Sequence, residues 1–345
     1  VPPAEKPNAA SRGRPTLARI AQLAGVSVPT VSKVVNGRAD VGPETREHVE
    51  RILREHGYRP LRKLGAPGAH VELVFHALEG VYDTEVINGV ESVASEHGLA
   101  LVVSQLGHQF TPDALWMERV LSRRPAGVIS AFSGLDREQR MQLRDRGIAY
   151  VVVDPTEDPG PEFPTVAAHN WMGGLAAARH LLELGHRRVA AVTGPMWALP
   201  ARARFDGYCA ALERAGVPFD ARLVGEDDFL PRGGLAQARR LLRLPDPPTA
   251  FVAGNDGQAL GVCQAVHEAG LRVPQDVSVV GFDDLALAES HVPPLTTVHQ
   301  PVRQMAATAA GIAVRLAAGK PVERMRVELP VRLVERASAA PPPSS

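Results

Sequence analysis

Residues 17–37 read Leu17-Ala-Arg-Ile-Ala-Gln-Leu-Ala-Gly-Val-Ser-Val-Pro-Thr-Val-Ser-Lys-Val-Val-Asn-Gly37. Leu17, Ile20, Ala21 and Ala24 recur at helical spacing, with Thr16 before them as N-cap, so Leu17–Ala24 is predicted as a short amphipathic helix. Gly25 supplies the backbone freedom for a tight turn, and Val26 fills the space between helices. Ser27 caps a second helix whose first turn tolerates Pro29. Val31, Val34 and Val35 face inward, leaving Val28, Pro29, Thr30, Ser32, Lys33 and Asn36 on a polar outer side. A third helix opens at Pro43, turns Val49, Ile52 and Leu53 inward and stops at Gly57. Two helices joined by so tight a turn form a helix-turn-helix, whose second helix enters the major groove of DNA.

Charge supports that reading. The 345-residue chain has zero formal net charge, yet residues 1–70 hold twelve Lys and Arg against six Asp and Glu. The head therefore carries +6 and the remainder −6, as expected of a nucleic-acid module joined to a body that must not adhere to phosphate. Only Cys209 and Cys263 occur, in no metal-ligand spacing, so no disulfide framework and no metal or other cofactor is expected. The first residues lack the apolar core of a secretion signal, and no run approaches a membrane span; the expected location is the cytoplasm, with no membrane partner.

Beyond residue 70, short apolar runs alternate with amphipathic stretches. The strand-like runs are Val71–Phe75, Ala100–Ser104, Gly127–Ala131, Tyr150–Asp154, Arg188–Thr193, Ala250–Gly254 and Val277–Phe282. Helical stretches include Thr84–His97, Trp171–Leu184, Ala203–Ala215, Leu235–Leu242 and Gln258–Ala269. Continuous β-branched runs alternating with helices predict parallel sheets flanked by helices. So many units suit two lobes, with the boundary near the helix Asn170–Gly185. The α/β chain is thus divided into a disordered basic arm (1–15), a three-helix helix-turn-helix head (16–58), a Pro- and Gly-rich linker (59–70), a two-lobed body (71–336) and a disordered tail (337–345).

The stretch 17–37, with Val41-Gly-Pro-Glu-Thr-Arg46 and Gly57-Tyr-Arg-Pro60, resembles the head of the lactose-repressor (LacI/GalR) family of transcriptional regulators without gaps. The resemblance implies that Val28, Pro29 and Lys33 read bases, while Ser27, Thr30, Ser32, Asn36 and Thr45 contact phosphates. Relatives follow this head with a hinge helix that wedges a Leu into the minor groove. Here Leu61-Arg-Lys-Leu-Gly-Ala-Pro67 is shorter and broken by Gly65 and Pro67, leaving Leu64 as either the wedge or part of a plain linker. Arg12-Gly-Arg-Pro15 resembles an AT-hook core, so Arg12 and Arg14 either reach a narrow minor groove or lie in a solvated arm.

The body resembles the same family's periplasmic-binding-protein-like domain across 71–336. Ala201-Arg-Ala-Arg-Phe-Asp-Gly-Tyr208, Val252-Ala-Gly-Asn-Asp256, Val277-Ser-Val-Val-Gly-Phe-Asp-Asp284 and Pro293-Pro-Leu-Thr-Thr-Val-His-Gln300 carry the match. It implies an effector cleft at the carboxyl ends of the strands, lined by Asp154, Arg204, Asn255, Asp283 and Gln300, with Phe229 stacking on a sugar's apolar face. Trp171, Trp197 and Tyr82 are further aromatic candidates, or else core and interface filler, and Asp256 and Asp284 are alternatively helix caps. The reading is a DNA-binding regulator, a repressor acting as a homodimer on operator DNA under control of a small effector, a sugar before a purine. Neither a solute-binding transport protein nor an enzyme fits: the basic head argues against the first, and no GxGxxG, P-loop, HExxH or GxSxG argues for the second.

Overall fold

A computed structural model describes residues 17–35, 41–56, 68–107 and 111–343. The chain divides between Lys63 and Leu64 into two compact units, each built on its own core.

The first unit packs three helices, α1 (Leu17–Ala24), α2 (Val28–Val35) and α3 (Pro43–Glu55). Ile20, Val31 and Val49 meet fully buried at its centre, with Val34 and Ile52 beside them and Val26, Val35 and Leu53 packed at the edge. Gly25 sits at φ +63°, the left-handed region open to glycine, and the Val26 N–H closes the turn on the Ala21 carbonyl at 3.1 Å. The apolar spacing of the sequence therefore reappears as the core of a three-helix unit.

In the second unit, β1 (His70–Phe75), α4 (Val81–Glu96), β2 (Ala100–Gln105), α5 (Ala114–Arg123), β3 (Gly127–Ala131), α6 (Arg137–Asp145), β4 (Ala149–Val153) and β5 (Thr165–Ala168) build the first lobe. The second lobe takes α7 (Asn170–Glu183), β6 (Val189–Thr193), α8 (Leu199–Arg214), β7 (Val224–Glu226), α9 (Pro231–Leu242), β8 (Ala250–Ala253), α10 (Asp256–Glu268), β9 (Ser278–Asp283), α11 (Ala286–Ser290) and β10 (Thr296–His299). The chain then returns to the first lobe for α12 (Val302–Ala317) and β11 (Arg326–Leu329), and ends in the second with β12 (Arg332–Val334). The sheets run β11-β5-β4-β3-β1-β2 and β12-β10-β9-β8-β6-β7, parallel throughout except for the β10–β12 pair. Three crossovers therefore join the lobes, at 168–170, 299–302 and 329–332.

Each sheet is covered by helices on both faces, which is why its central strands read as largely apolar runs. Leu73 and Phe75 of β1 point to α4 and α12, while Val74 points to the opposite layer with Trp116, Met117 and Leu143. In the second lobe, Val192 and Phe251 face α9 and α10, and Val280 and Phe282 face α7 and α8. Cys209 and Cys263 are free thiols packed within this lobe, both held in the thiol form by burial, Cys263 up to about 12.

The tail is a correction to the sequence reading. Residues 337–343, expected to be disordered, continue from β12 beneath β9 and β10. Ser338 is fully buried: its hydroxyl donates to the Val279 carbonyl at 2.6 Å and accepts from the Thr296 N–H at 2.8 Å. The Val279 N–H donates to the Ser338 carbonyl at 2.8 Å. Farther on, buried His186 donates from Nε2 to the Ala340 carbonyl at 2.9 Å, with Thr249 Oγ1 2.8 Å from Nδ1. Composition marks such a segment as polar, but the open strand ends supply its backbone partners.

Ser338→Ala should lower the stability of the larger unit by about 1–3 kcal/mol, because it strands the Thr296 N–H in the interior. Thermal melting of the full chain reads the loss. Burial holds His186 below the ordinary imidazole range against the opposing pull of the Ala340 carbonyl. As pH falls, the unfolded chain takes up that proton first. The stabilisation is therefore complete above about pH 6.5 and declines below it. A melting temperature that did not fall on acidification through that range in the wild type relative to a His186→Asn variant would overturn the assignment.

Candidate functional site

On the first unit, the exposed side of α2 presents Ser27, Val28, Pro29 and Lys33, with Thr30 and Ser32 half-buried beside them. Ser27 Oγ accepts from the Thr30 N–H at 3.3 Å and lies 2.8 Å from its hydroxyl, a cap that fixes the first turn of α2. Val28 remains 43% exposed, an apolar side chain that no core of this unit claims. Thr45 is half-buried in the first turn of α3. His48 of α3 was not singled out in the sequence. Its Nε2 donates to the Ala24 carbonyl at 3.2 Å and its Nδ1 accepts from Arg51 at 3.0 Å, tying α3 to the end of α1. Thr16, Asn36, Arg12, Arg14 and Leu64 lie outside the described residues.

Between the lobes of the second unit lies a cavity of about 510 Å³, within the range of small-molecule sites. Tyr82, Asp154, Arg204, Phe229, Asn255 and Asp283 line it, all expected from sequence. Asp154 follows β4 and Asp283 ends β9, so both carboxylates stand at carboxyl ends of parallel strands. Both occupy left-handed backbone, Asp154 at φ +47° and Asp283 at φ +109°. Phe132, directly after β3 and also on the cavity wall, has φ +45°. Such positions cost on the order of 1–3 kcal/mol each and cluster where function holds them.

Arg204 organises the floor. Only 8% exposed, its guanidinium donates from Nε to Asn170 Oδ1 at 2.7 Å, from Nη1 to the Gly254 carbonyl at 2.6 Å and from Nη2 to Gln300 Oε1 at 2.8 Å. It stacks 3.7 Å from the Phe282 ring centroid, and Asp283 Oδ1 lies 3.7 Å from Nη1. Among the described residues three of the five guanidinium N–H groups are thus committed to hydrogen bonds. Asp154 Oδ2 accepts from the Tyr82 hydroxyl at 2.6 Å and Gln300 Nε2 at 2.8 Å. Asp154 Oδ1 and Asp283 Oδ1 are buried without a hydrogen-bond partner among the described residues. Burial raises the pKa of both carboxyls, Asp283 the further, against the pull of Arg204. Two such orphaned acceptors are what a ligand rich in hydroxyl groups would satisfy.

The opposite wall is apolar. Phe229 lies flat against Gly194, where any β-carbon would stand 2.2 Å from the ring. Across the cleft Phe132 meets it edge to face at 5.4 Å, and His76 leans on Phe132 at 5.5 Å. Phe132 and His76 went unmarked in the sequence, although an aromatic immediately after a buried run is the same signal that marks Asp154. A further contact between the lobes runs from the Leu199 N–H to the Thr156 carbonyl at 3.1 Å.

Several expectations are corrected. Trp171 is away from the cavity, packed on the second lobe with Phe205 and Cys209 and with Arg214 5.9 Å from its ring, because it sits on the α7 face turned toward α8. Trp197 is 54% exposed on the loop between cavity-lining Pro195 and Pro200 and does not line the cavity itself. Gln300 lies behind the wall, 2% exposed, bonded to Arg204 and Asp154. Asn255, not Asp256, caps α10, accepting from the Gln258 N–H at 2.8 Å while its amide donates to the Phe229 carbonyl at 2.8 Å. Asp256 is pushed up to about 7 by burial and accepts from Thr297 and the Leu285 N–H. Asp284 pairs with Arg336 at 2.6 Å and His299 at 3.0 Å.

Known proteins share this architecture. Residues 16–60 match the family described as bacterial regulatory proteins, lacI family, and residues 178–339 match a periplasmic binding protein-like domain. The ribose operon repressor of Escherichia coli (strain K12) is 32% identical over 331 residues, spanning 94% of this chain and 99% of the relative. A transcriptional regulator CelR–cellobiose complex is 34% identical with a TM-score of 0.71, covering 94% of this chain and all of that one. The lac repressor dimer bound to operator and the anti-inducer ONPF is 29% identical with a TM-score of 0.70, covering 94% and 99%.

The stability of Asp283→Asn relative to the wild type should be higher at pH 8 than at pH 4, because at pH 8 it removes a desolvated carboxylate whose partner Arg204 is held at 3.7 Å, beyond hydrogen-bond distance. A carboxyl whose folded pKa is raised weakens the fold as pH climbs from the unfolded value near 3.9 through the folded one, so the relative gain should shrink toward pH 4. Paired melts at both pH values test the sign; a relative stability no higher at pH 8 than at pH 4 would refute it.

Proposed function

Because the chain belongs to the lacI family of bacterial regulatory proteins, we propose that it is a repressor whose operator affinity is set by a sugar bound between the two lobes. The protein is a DNA-binding transcriptional regulator. The observation that carries the sugar reading is the cavity floor. There Asp154 Oδ1 and Asp283 Oδ1 are buried with no hydrogen-bond partner among the described residues, near an Arg204 guanidinium with three N–H groups already committed, and Phe132 and Phe229 form an aromatic wall. A pyranose or furanose offers hydroxyl donors on its rim and a C–H face to an aromatic ring. The cellobiose in one similar structure fits that chemistry.

In this reading residues 16–58 bind DNA and residues 71–336 bind effector and dimerise. Val28, Pro29 and Lys33 meet base edges, while Ser27, Thr30, Ser32 and Thr45 meet phosphates. Asn36, Thr16, Arg12, Arg14 and Leu64 are assigned to DNA binding in the same reading, Arg12 and Arg14 as minor-groove arm and Leu64 as hinge wedge. The protein works as a homodimer on a pseudo-palindromic operator, as a similar repressor is a dimer on its own operator. In this reading the cleft binds its ligand and performs no reaction on it, its carboxylates being held by Tyr82, Gln300 and Arg204. Operator binding assigns the protein to the cytoplasm; among the described residues no helix is long and apolar enough to cross a membrane.

Cellobiose and ribose are the first probes. One of them should raise the melting temperature, by about 2.7 kcal/mol of stabilisation at a hundredfold excess over Kd, and change retention of operator fragments selected from genomic DNA. Phe229→Ala should abolish that shift. Stabilisation by purine bases and by no sugar would overturn the sugar assignment. Lys33→Ala should weaken operator binding by about 1–3 kcal/mol, roughly five- to a hundred-and-fifty-fold, leaving the melting of the larger unit unchanged.

A further inference from the structure

Arg204 belongs to the second lobe, and its hydrogen bonds toward the first pass through two side-chain amides, one on each of two crossovers. Asn170 opens α7 directly after the 168–170 crossover. Its Oδ1 accepts from Arg204 Nε at 2.7 Å, and its Nδ2 donates to the carbonyl of Ala168, the last residue of β5, at 3.1 Å. Gln300 lies in the 299–302 crossover. Its Oε1 accepts from Arg204 Nη2 at 2.8 Å, and its Nε2 donates to Asp154 Oδ2, at the end of β4, at 2.8 Å. The Gln300 N–H also reaches back to the Asp283 carbonyl at 3.2 Å. Both amides are buried, Asn170 at 7% and Gln300 at 2% exposure.

The chemistry dictates these orientations. A guanidinium only donates, and a carboxylate or peptide carbonyl only accepts, so nothing but a group with one acceptor and one donor can join them without a proton to spare. Asn and Gln are neutral groups of that kind at every pH near neutrality. Neither amide faces the cavity, so neither is spent on a ligand.

We propose that Asn170 and Gln300 form a hinge clamp: paired amide adaptors that fix the angle between the lobes by linking Arg204 of the second lobe to the strand ends of the first. They are positioning residues. A ligand that drew Arg204 or Asp154 toward itself would loosen or tighten the clamp, so the same two groups that recognise the effector carry the lobe angle. The inference deepens the reading of the cleft as the effector site and rests on it for that last step.

The test needs no ligand. Spin labels are placed at exposed Glu138 of the first lobe and Glu213 of the second, in a full-length Cys209→Ser, Cys263→Ala background, mixed with excess unlabelled protein so that only distances within one chain are read. This parent should give one narrow distance distribution. At pH 8, Gln300→Glu keeps the acceptor for Arg204 and turns a carboxylate on Asp154; the distribution should broaden and move by several ångströms. Adding Asp154→Asn restores a donor facing an acceptor in reverse, and the parent distribution should return. If Gln300→Glu fails to give a cooperative melt, Asn170→Asp applies the same test to the other crossover, because it loses only the donor to Ala168. A parent-like distribution in the single variant, or a double variant that stays displaced, overturns the clamp. Because the distances are read without effector, their failure leaves the sugar assignment standing, and failure of sugars to bind leaves the clamp standing.

Discussion

A guanidinium cannot shed its proton inside a protein, so burying one obliges the surrounding chain to supply acceptors at fixed positions. Arg204 imposes that demand where the lobes meet. A strand-end carbonyl at Gly254, an amide from each of two crossovers, the face of Phe282 and the nearby carboxylate of Asp283 answer it. The carboxyl ends of the strands, both crossovers and the cavity floor are thereby tied to one side chain. Asp154 and Asp283 hold left-handed backbone at these strand ends, Asp283 within 3.7 Å of the guanidinium and Asp154 joined to it through Gln300.

What could be read in advance follows from how each element is stabilised. Strands buried on both faces, such as β1, β3, β4, β8 and β9, carry apolar side chains at most positions, and such runs stand out in the sequence. β7, β11 and β12 lie at sheet edges and most of their positions are exposed or only partly buried, so polar residues such as Glu226, Arg326, Glu328 and Arg332 interrupt their apolar pattern. The head was legible almost in full, because Ile20, Val31 and Val49 keep helical spacing inside a short, local unit. The tail was not, because Ser338 is held by backbone groups of strands forty and more residues away.

The candidate site divides in the same way. A polar residue directly after a buried strand is legible as a cleft residue, and Asp154, Asn255 and Asp283 are all at the cavity. Which side of the wall such a residue occupies is not legible, since it depends on what the next crossover brings alongside. Gln300 follows β10 as Asp154 follows β4, yet it is turned inward, because Arg204 and Asp154 already stand there as donor and acceptor. Trp171 misled for a related reason. A helix start near a cleft has two faces, and this one packs on Phe205.

The residues of the cleft do not satisfy one another completely. Two desolvated carboxylates lie near one guanidinium, and one oxygen of each lacks a hydrogen-bond partner among the described residues. Leaving such groups unsatisfied costs on the order of 1–3 kcal/mol apiece, so a ligand that donates to them recovers free energy beyond its own contacts. That energy shifts a conformational balance only if it differs between the states being balanced. A floor whose groups came from one lobe would bind equally well whatever the other lobe did, and could not signal. Here Asp154 stands on the first lobe and Arg204 and Asp283 on the second, so their geometry around a ligand depends on the lobe angle. A cleft built in this divided way has different affinities at different angles, and that difference is the requirement for an effector to control anything beyond its own site.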